Sequence, residues 1–180
     1  LDSCDIALGT SFDCDASGVP DECEAIIVQS FTSTPGSPII NTLPPTVDTI
    51  SVGTSFVITD LDVEIQITHT WIGDLSITLS SPSGTGIDLK SGSSLNVDNI
   101  DVIFDDSGVP YSEASLPSGL VMQPQGIALA AVNGEDPAGN WTITIADAFA
   151  GDNGTLDLWR LNLEGNGAPA PDCDSDGVPD

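Results

Sequence analysis

The sequence predicts an all-β protein, a β-sandwich of jelly-roll type, on three observations. Apolar and polar residues alternate with a period of two over several short stretches. Gly, Pro, Ser and Asp gather between those stretches, and no stretch carries a convincing helical period. Many short strands separated by turn signals specify two sheets packed face to face. The clearest stretch is Asp62 to Thr85. Val63, Ile65 and Ile67 share one parity, while Glu64, Gln66 and Thr68 take the other. Leu75, Ile77 and Leu79 then alternate with Ser76, Thr78 and Ser80. Each half reads as a strand with one dry and one wet face. Gly73-Asp74 is expected to make the bend through glycine's backbone freedom, and Pro82-Ser83-Gly84 to end the second strand.

The remaining elements follow the same logic. Residues 1–24 form an acidic leader, 25–165 the sandwich, and 166–180 a linker with a second acidic segment. Ala25 to Phe31 is a first strand with Ile26, Val28 and Phe31 inward. Thr32 to Pro45 is a loop, and Val47 to Thr59 gives one or two strands broken at Gly53. Gly86 to Leu89 is a short strand, and Lys90 to Asn99 a loop. Ile100 to Asp105 is a strand with Ile100, Val102 and Phe104 on one face. Asp106 to Gln125 is expected to be one long loop, a length that usually signals function or bound metal. Ile127 to Val132 is read as a strand. Trp141 to Asp147 and Leu156 to Leu163 close the set, with Trp159, Leu161 and Leu163 inward. Trp71, Trp141 and Trp159 all take inward parity, which assigns them to the core rather than to a sugar platform.

The chain has 180 residues, with 2 Lys+Arg against 28 Asp+Glu and a formal net charge of −26. Such a charge repels nucleic acid and anionic membrane and attracts divalent cations. No apolar run reaches the roughly 18 residues that a spanning helix needs. Leu1 is not a start methionine, and no basic-then-apolar leader follows, so a processed piece of a longer protein is expected. Scarce lysine, abundant Ser, Thr, Gly and Asp, and four cysteines set among acidic residues point to a secreted or cell-surface setting. Asn140-Trp141-Thr142 and Asn153-Gly154-Thr155 are formal glycosylation acceptors.

Both acidic ends carry calcium-loop spacing. Such a loop needs oxygen ligands at positions 1, 3, 5, 7, 9 and 12, with glycine at 6. The first copy offers Asp13, Asp15, Ser17, the Val19 carbonyl, Asp21 and Glu24, with Gly18 at the turn. The second offers Asp172, Asp174, Asp176, the Val178 carbonyl and Asp180, with Gly177 at the turn and no position 12. Asp2-Ser3-Cys4-Asp5 reads as the tail of a preceding copy. No amphipathic helices flank the loops, which resemble thrombospondin type 3 or dockerin-like repeats. That resemblance implies bridges Cys4–Cys14 and Cys23–Cys173, one of three connectivities open to four cysteines.

The sandwich carries a second resemblance. His69-Thr70-Trp71-Ile72-Gly73-Asp74-Leu75 is followed by Leu79-Ser80-Ser81-Pro82-Ser83-Gly84-Thr85. Phe104-Asp105-Asp106, Gly139-Asn140-Trp141-Thr142-Ile143 and Gly151-Asp152-Asn153-Gly154-Thr155-Leu156 come next, leading to Trp159-Arg160-Leu161. Order and spacing resemble the P domain, or P/Homo B domain, that follows the catalytic domain of kexin- and furin-like proprotein convertases. The likeness covers roughly residues 26–165. Ile72 stands where many members have arginine, so no Arg-Gly-Asp adhesion motif is present. The resemblance implies a galactose-binding-like jelly roll that is not catalytic and that stabilises an adjacent serine protease. It also implies that Asp74 approaches Asp105 and Asp106, and that these three hold a further Ca²⁺.

Catalytic motifs are weak. His69, the one histidine, shares the inward parity of Ile67 and reads as a buried strand-end residue. No Gly-x-Ser-x-Gly elbow accompanies it, and the cysteines lack zinc spacing. Paired carboxylates could suggest glycoside hydrolysis, but aromatic residues are 5% of the chain. The expectation is therefore a non-catalytic, calcium-stabilised extracellular module of a larger protein, with no nucleic acid or membrane as partner. The alternative is a carbohydrate- or protein-binding jelly roll using Asp106 to Gln125 as its contact surface.

Overall fold

A computed structural model describes residues 26–41, 44–116 and 119–166. Both calcium loops, residues 13–24 and 172–180, and all four cysteines lie outside the described residues. Among the described residues ten strands run in chain order: β1 Ile27–Ser33, β2 Ser37–Ile40, β3 Thr46–Val52, β4 Val57–His69, β5 Leu75–Ser80, β6 Gly86–Lys90, β7 Ile100–Val109, β8 Leu120–Met122, β9 Gly139–Asp147 and β10 Asn153–Asn166. One sheet has the order β1-β10-β4-β7-β8, with β2 also paired to β10. The other has the order β3-β9-β5-β6. The β-sandwich expected from the alternation is therefore present.

The pairing explains the core. β4 and β10 run antiparallel along most of their length, with Leu161 opposite Val63 and Trp159 opposite Ile65. All four of these side chains are fully buried. In the second sheet Ile77 lies opposite Ile145 and Leu79 opposite Ile143, again buried. Directly opposed residues share a face, so a period of two in each strand becomes one continuous apolar layer between the sheets. Trp141 and Trp159 fill that layer. Their indole N–H groups are satisfied by the Pro137 carbonyl at 3.0 Å and by Asp48 Oδ2 at 2.7 Å. The second of these bonds ties β10 to β3 across the sandwich.

Six expectations are corrected. Thr32 to Pro45 is not all loop, since Ser37–Ile40 pairs with β10 as β2. In β1, Val28 is 64% exposed, and Ile26 beside the strand is exposed too, whereas Ile27 packs on the core beside Phe31. Ile26-Ile27-Val28 does not alternate, so its phase is set by β10, where Ile27 faces Gly165 and Phe31 faces the buried Leu161. Asp106 to Gln125 is not one loop. β7 continues to Val109, a 3-10 turn spans Glu113–Ser115, and β8 pairs parallel to β7. Ile127 to Val132 forms no strand: Leu129–Val132 is a 3-10 turn with Leu129 and Val132 buried. Trp71 is only half-buried. Finally, Gly73 lies in a 3-10 turn, Ile72–Asp74, without positive φ. Glycine is required there by space, because a Cβ would sit 2.6 Å from the Leu95 carbonyl oxygen. The bend carries the chain from the end of β4 in one sheet to the start of β5 in the other.

Candidate functional site

That crossing point gathers three loops. Residues 70–74 connect β4 to β5, residues 91–99 connect β6 to β7, and residues 148–152 connect β9 to β10. Backbone bonds lace them together: Ile72 N to Val97 O at 2.9 Å, Ser93 N to Gly73 O at 2.7 Å, and Ala148 N to Asp74 O at 3.0 Å. Between them lies a cleft of about 370 Å³ lined by Trp71, Asp74, Ser93, Ser94, Phe149, Ala150 and Asp152. Phe149 stands at its rim, 63% exposed.

His69 forms the base beneath this corner and is 1% exposed. Its Nδ1 accepts the Trp71 backbone N–H at 3.1 Å, which leaves Nε2 to carry the proton of the neutral ring. Nε2 sits 3.7 Å from Asp147 Oδ2, and neither atom has a hydrogen-bond partner among the described residues. The arrangement is not a hydrolytic triad, because the second ring nitrogen holds a backbone amide where a nucleophile would stand. Asp74 is nine-tenths buried. Burial raises its pKa, Asp147 and Asp152 raise it further, and the opposing influence of His69 and Lys90 does not cancel them. Asp152 Oδ1 accepts the Thr70 hydroxyl at 2.7 Å.

The cleft wall rests on a buried ion pair that sequence reasoning missed. Lys90 Nζ lies 2.8 Å from Glu113 Oε1, and both side chains are almost completely buried. Lys90 also donates to the Leu75 carbonyl at 2.8 Å, and Glu113 accepts the Ser93 hydroxyl. Glu135 was missed as well. Ser81, Ser83 and Thr85 all donate hydroxyls to its carboxylate, so the Ser-Pro-Ser-Gly-Thr segment is a clamp on that residue. Burial alone would raise the Glu135 pKa, but the three hydroxyls bring it below its ordinary value. Neither pairing is local in sequence, and no periodic signal could have reported it.

The three carboxylates expected to share a calcium ion inside the sandwich do not converge. Phe104 pairs with Val63, while Asp74 follows the end of β4 at His69. At about 3.3 Å per residue those positions lie roughly 20 Å apart along the strand. Both Asp106 oxygens are taken by the Leu129 and Ala130 backbone N–H groups at 2.8 Å. Both Asp105 oxygens are engaged by Ser107. Asp105 and Asp106 lie near Asp62 instead, whose pKa is raised to about 6 by burial and then by Asp105, Asp60, Glu164 and Asp106. Among the described residues no group of three or more His, Cys, Asp or Glu is arranged to hold a metal ion.

Residues 58–163 match the family described as the proprotein convertase P-domain. The chain belongs to that family. A Streptomyces mobaraensis protein named transglutaminase-activating metalloprotease is 34% identical over 103 residues, covering 57% of this chain and 10% of the relative. A Trichormus variabilis protein named calcium-dependent protease is 29% identical over 142 residues, covering 76% of this chain and 18% of the relative. This P domain thus spans less than a fifth of either curated relative. The solved structure of Aeromonas sobria serine protease in complex with the chaperone aligns with a TM-score of 0.56 at 19% identity. It covers 80% of this chain and 28% of the protease chain, a likeness of fold. No helix among the described residues is long and apolar enough to cross a membrane.

Proposed function

We propose that this P domain is a non-catalytic accessory module of a larger, secreted or surface-located protease, and that calcium stabilises it. The observation that carries the reading is its place among relatives: it corresponds to a small fraction of proteins that are themselves named as proteases. A domain of this kind supports an adjacent catalytic domain by packing and orientation. The burial of His69 and the hold of its Nδ1 on the Trp71 backbone amide agree with a structural histidine.

Calcium is supported by the names of two relatives and by the oxygen spacing of Asp13 to Glu24 and Asp172 to Asp180. Asp74, Asp105 and Asp106 are not proposed as one shared site, since strand register separates them. The ion would act by neutralising carboxylates and fixing loop geometry at the ends of the sandwich. Thermal melting of the full chain with calcium and with chelator tests this. At 100 times the dissociation constant, each site adds about 2.7 kcal/mol. A lower melting temperature in chelator is expected; identical melts would remove the calcium role.

A further inference from the structure

The cleft between residues 70–74, 91–99 and 148–152 combines two features, and Thr70 on one Asp152 oxygen is the one hydrogen bond the described side chains make to its carboxylates. Two carboxylates, Asp74 and Asp152, lie in it, and two aromatic side chains, Trp71 and Phe149, wall it. Asp74 is nine-tenths buried, lines the cavity, and receives no hydrogen bond to its carboxylate among the described residues. Its oxygens are not among the fully buried unpartnered atoms and face the cleft, so a cation entering there displaces only water.

We propose that this cleft receives an arginine side chain from a second polypeptide, with the guanidinium against Trp71 and Phe149 and its N–H groups on Asp74 and Asp152.

Three observations favour that occupant. The first is that the chain cannot fill the site itself. It contains 2 Lys+Arg in total. Lys90 is buried against Glu113, and Arg160 pairs with Glu64 at 2.6 Å on the outer face of β10 and β4. A cation for this cleft must therefore come from another polypeptide. The second is chemistry. Asp147 and Asp152 crowd Asp74 with like charge, and a planar cation relieves that repulsion. Arginine matches paired carboxylates through its fork of donors and stacks on aromatic faces, which a metal ion cannot exploit. The described residues offer no metal-holding group of three at this position. The third is size and rigidity. A volume of about 370 Å³ is at the small end for ligand sites, which begin near 300 Å³. It suits one side chain. Its walls are pinned by the Lys90–Glu113 pair and by the backbone bonds around Gly73, so little ordering cost is left for binding.

The test titrates the full chain with a blocked Gly-Arg-Gly tripeptide and with its citrulline counterpart, which has the same shape and no charge. Tryptophan fluorescence and backbone amide shifts report binding, in calcium and in chelator. The expected result is saturable binding of the arginine peptide, with shifts confined to residues 70–74, 91–95 and 148–152. Citrulline should bind at least about tenfold more weakly, a difference of about 1.4 kcal/mol. Phe149→Ala and Asp152→Asn should each weaken the arginine peptide severalfold, and the exposed Phe149 change should leave the melting temperature unaltered. Equal binding of citrulline, no binding of either peptide, or arginine binding indifferent to both substitutions would overturn the proposal. Complete displacement by calcium would also overturn it and assign the cleft to a metal. Because the arms are run with and without calcium, failure here is separable from failure of the calcium-stabilised reading.

Discussion

At Gly73 the limiting factor is room. An added methyl group would press on the Leu95 and Ser93 carbonyl oxygens, backbone atoms of a loop tied to this turn by the Ser93 N to Gly73 O and Ile72 N to Val97 O bonds. Gly73→Ala should therefore cost about 1–3 kcal/mol, the usual range for overpacking. For a domain of this size that is a fall of several degrees in melting temperature, at about 2–4 °C per kcal/mol. Asp62 sets a different kind of residue-scale effect. Its folded pKa of about 6 lies above the unfolded value, so the folded state holds the proton more tightly. Stability tied to this residue is present near pH 4 and is lost as pH rises through about 6. Asp62→Asn should melt higher than the parent at pH 7 and match it near pH 4. A constant difference across that range would contradict the linkage.

At the scale of elements, β10 organises the larger sheet by pairing with β1, β2 and β4. It carries a bulge at Asp157: Leu156 faces Ile67 and Leu158 faces Gln66, so one residue is left over. The bulge shifts phase, which is why Leu156 and Trp159, three positions apart, are both buried. The short β6 strand is secured in another way, by Lys90 reaching Glu113 in the 3-10 turn after β7. Removing one member of a buried pair leaves the other uncompensated. Lys90→Met should cost about 3–5 kcal/mol, while Lys90→Met combined with Glu113→Gln should recover most of it. A double-mutant cycle by denaturant unfolding measures the coupling. Additive losses would mean that the pair does not act as a unit.

At the scale of the molecule, −26 charges bear on a fold with few internal cations. Self-repulsion of this size weakens the compact state and is screened by salt. Sodium chloride should raise the melting temperature gradually over hundreds of millimolar. Calcium should do so at far lower concentration if oxygen-rich loops bind it, because site binding and screening have different concentration scales. Calcium matched to sodium chloride at equal ionic strength, with no extra gain, would reduce its role to screening.

The sequence by itself determined the fold class and most strand positions. It also determined that Trp141 and Trp159 are core, since a period of two leaves little choice of face once a sheet forms. It could not determine the phase of Ile26-Ile27-Val28, because an unbroken apolar run has no phase of its own. The tertiary structure alone decided that Asp74 stands beside Asp147 and Asp152 while Asp105 and Asp106 stand beside Asp62. The physical reason is register: alternation along a strand says which side a residue faces, and only pairing across strands says which end of the sandwich it reaches.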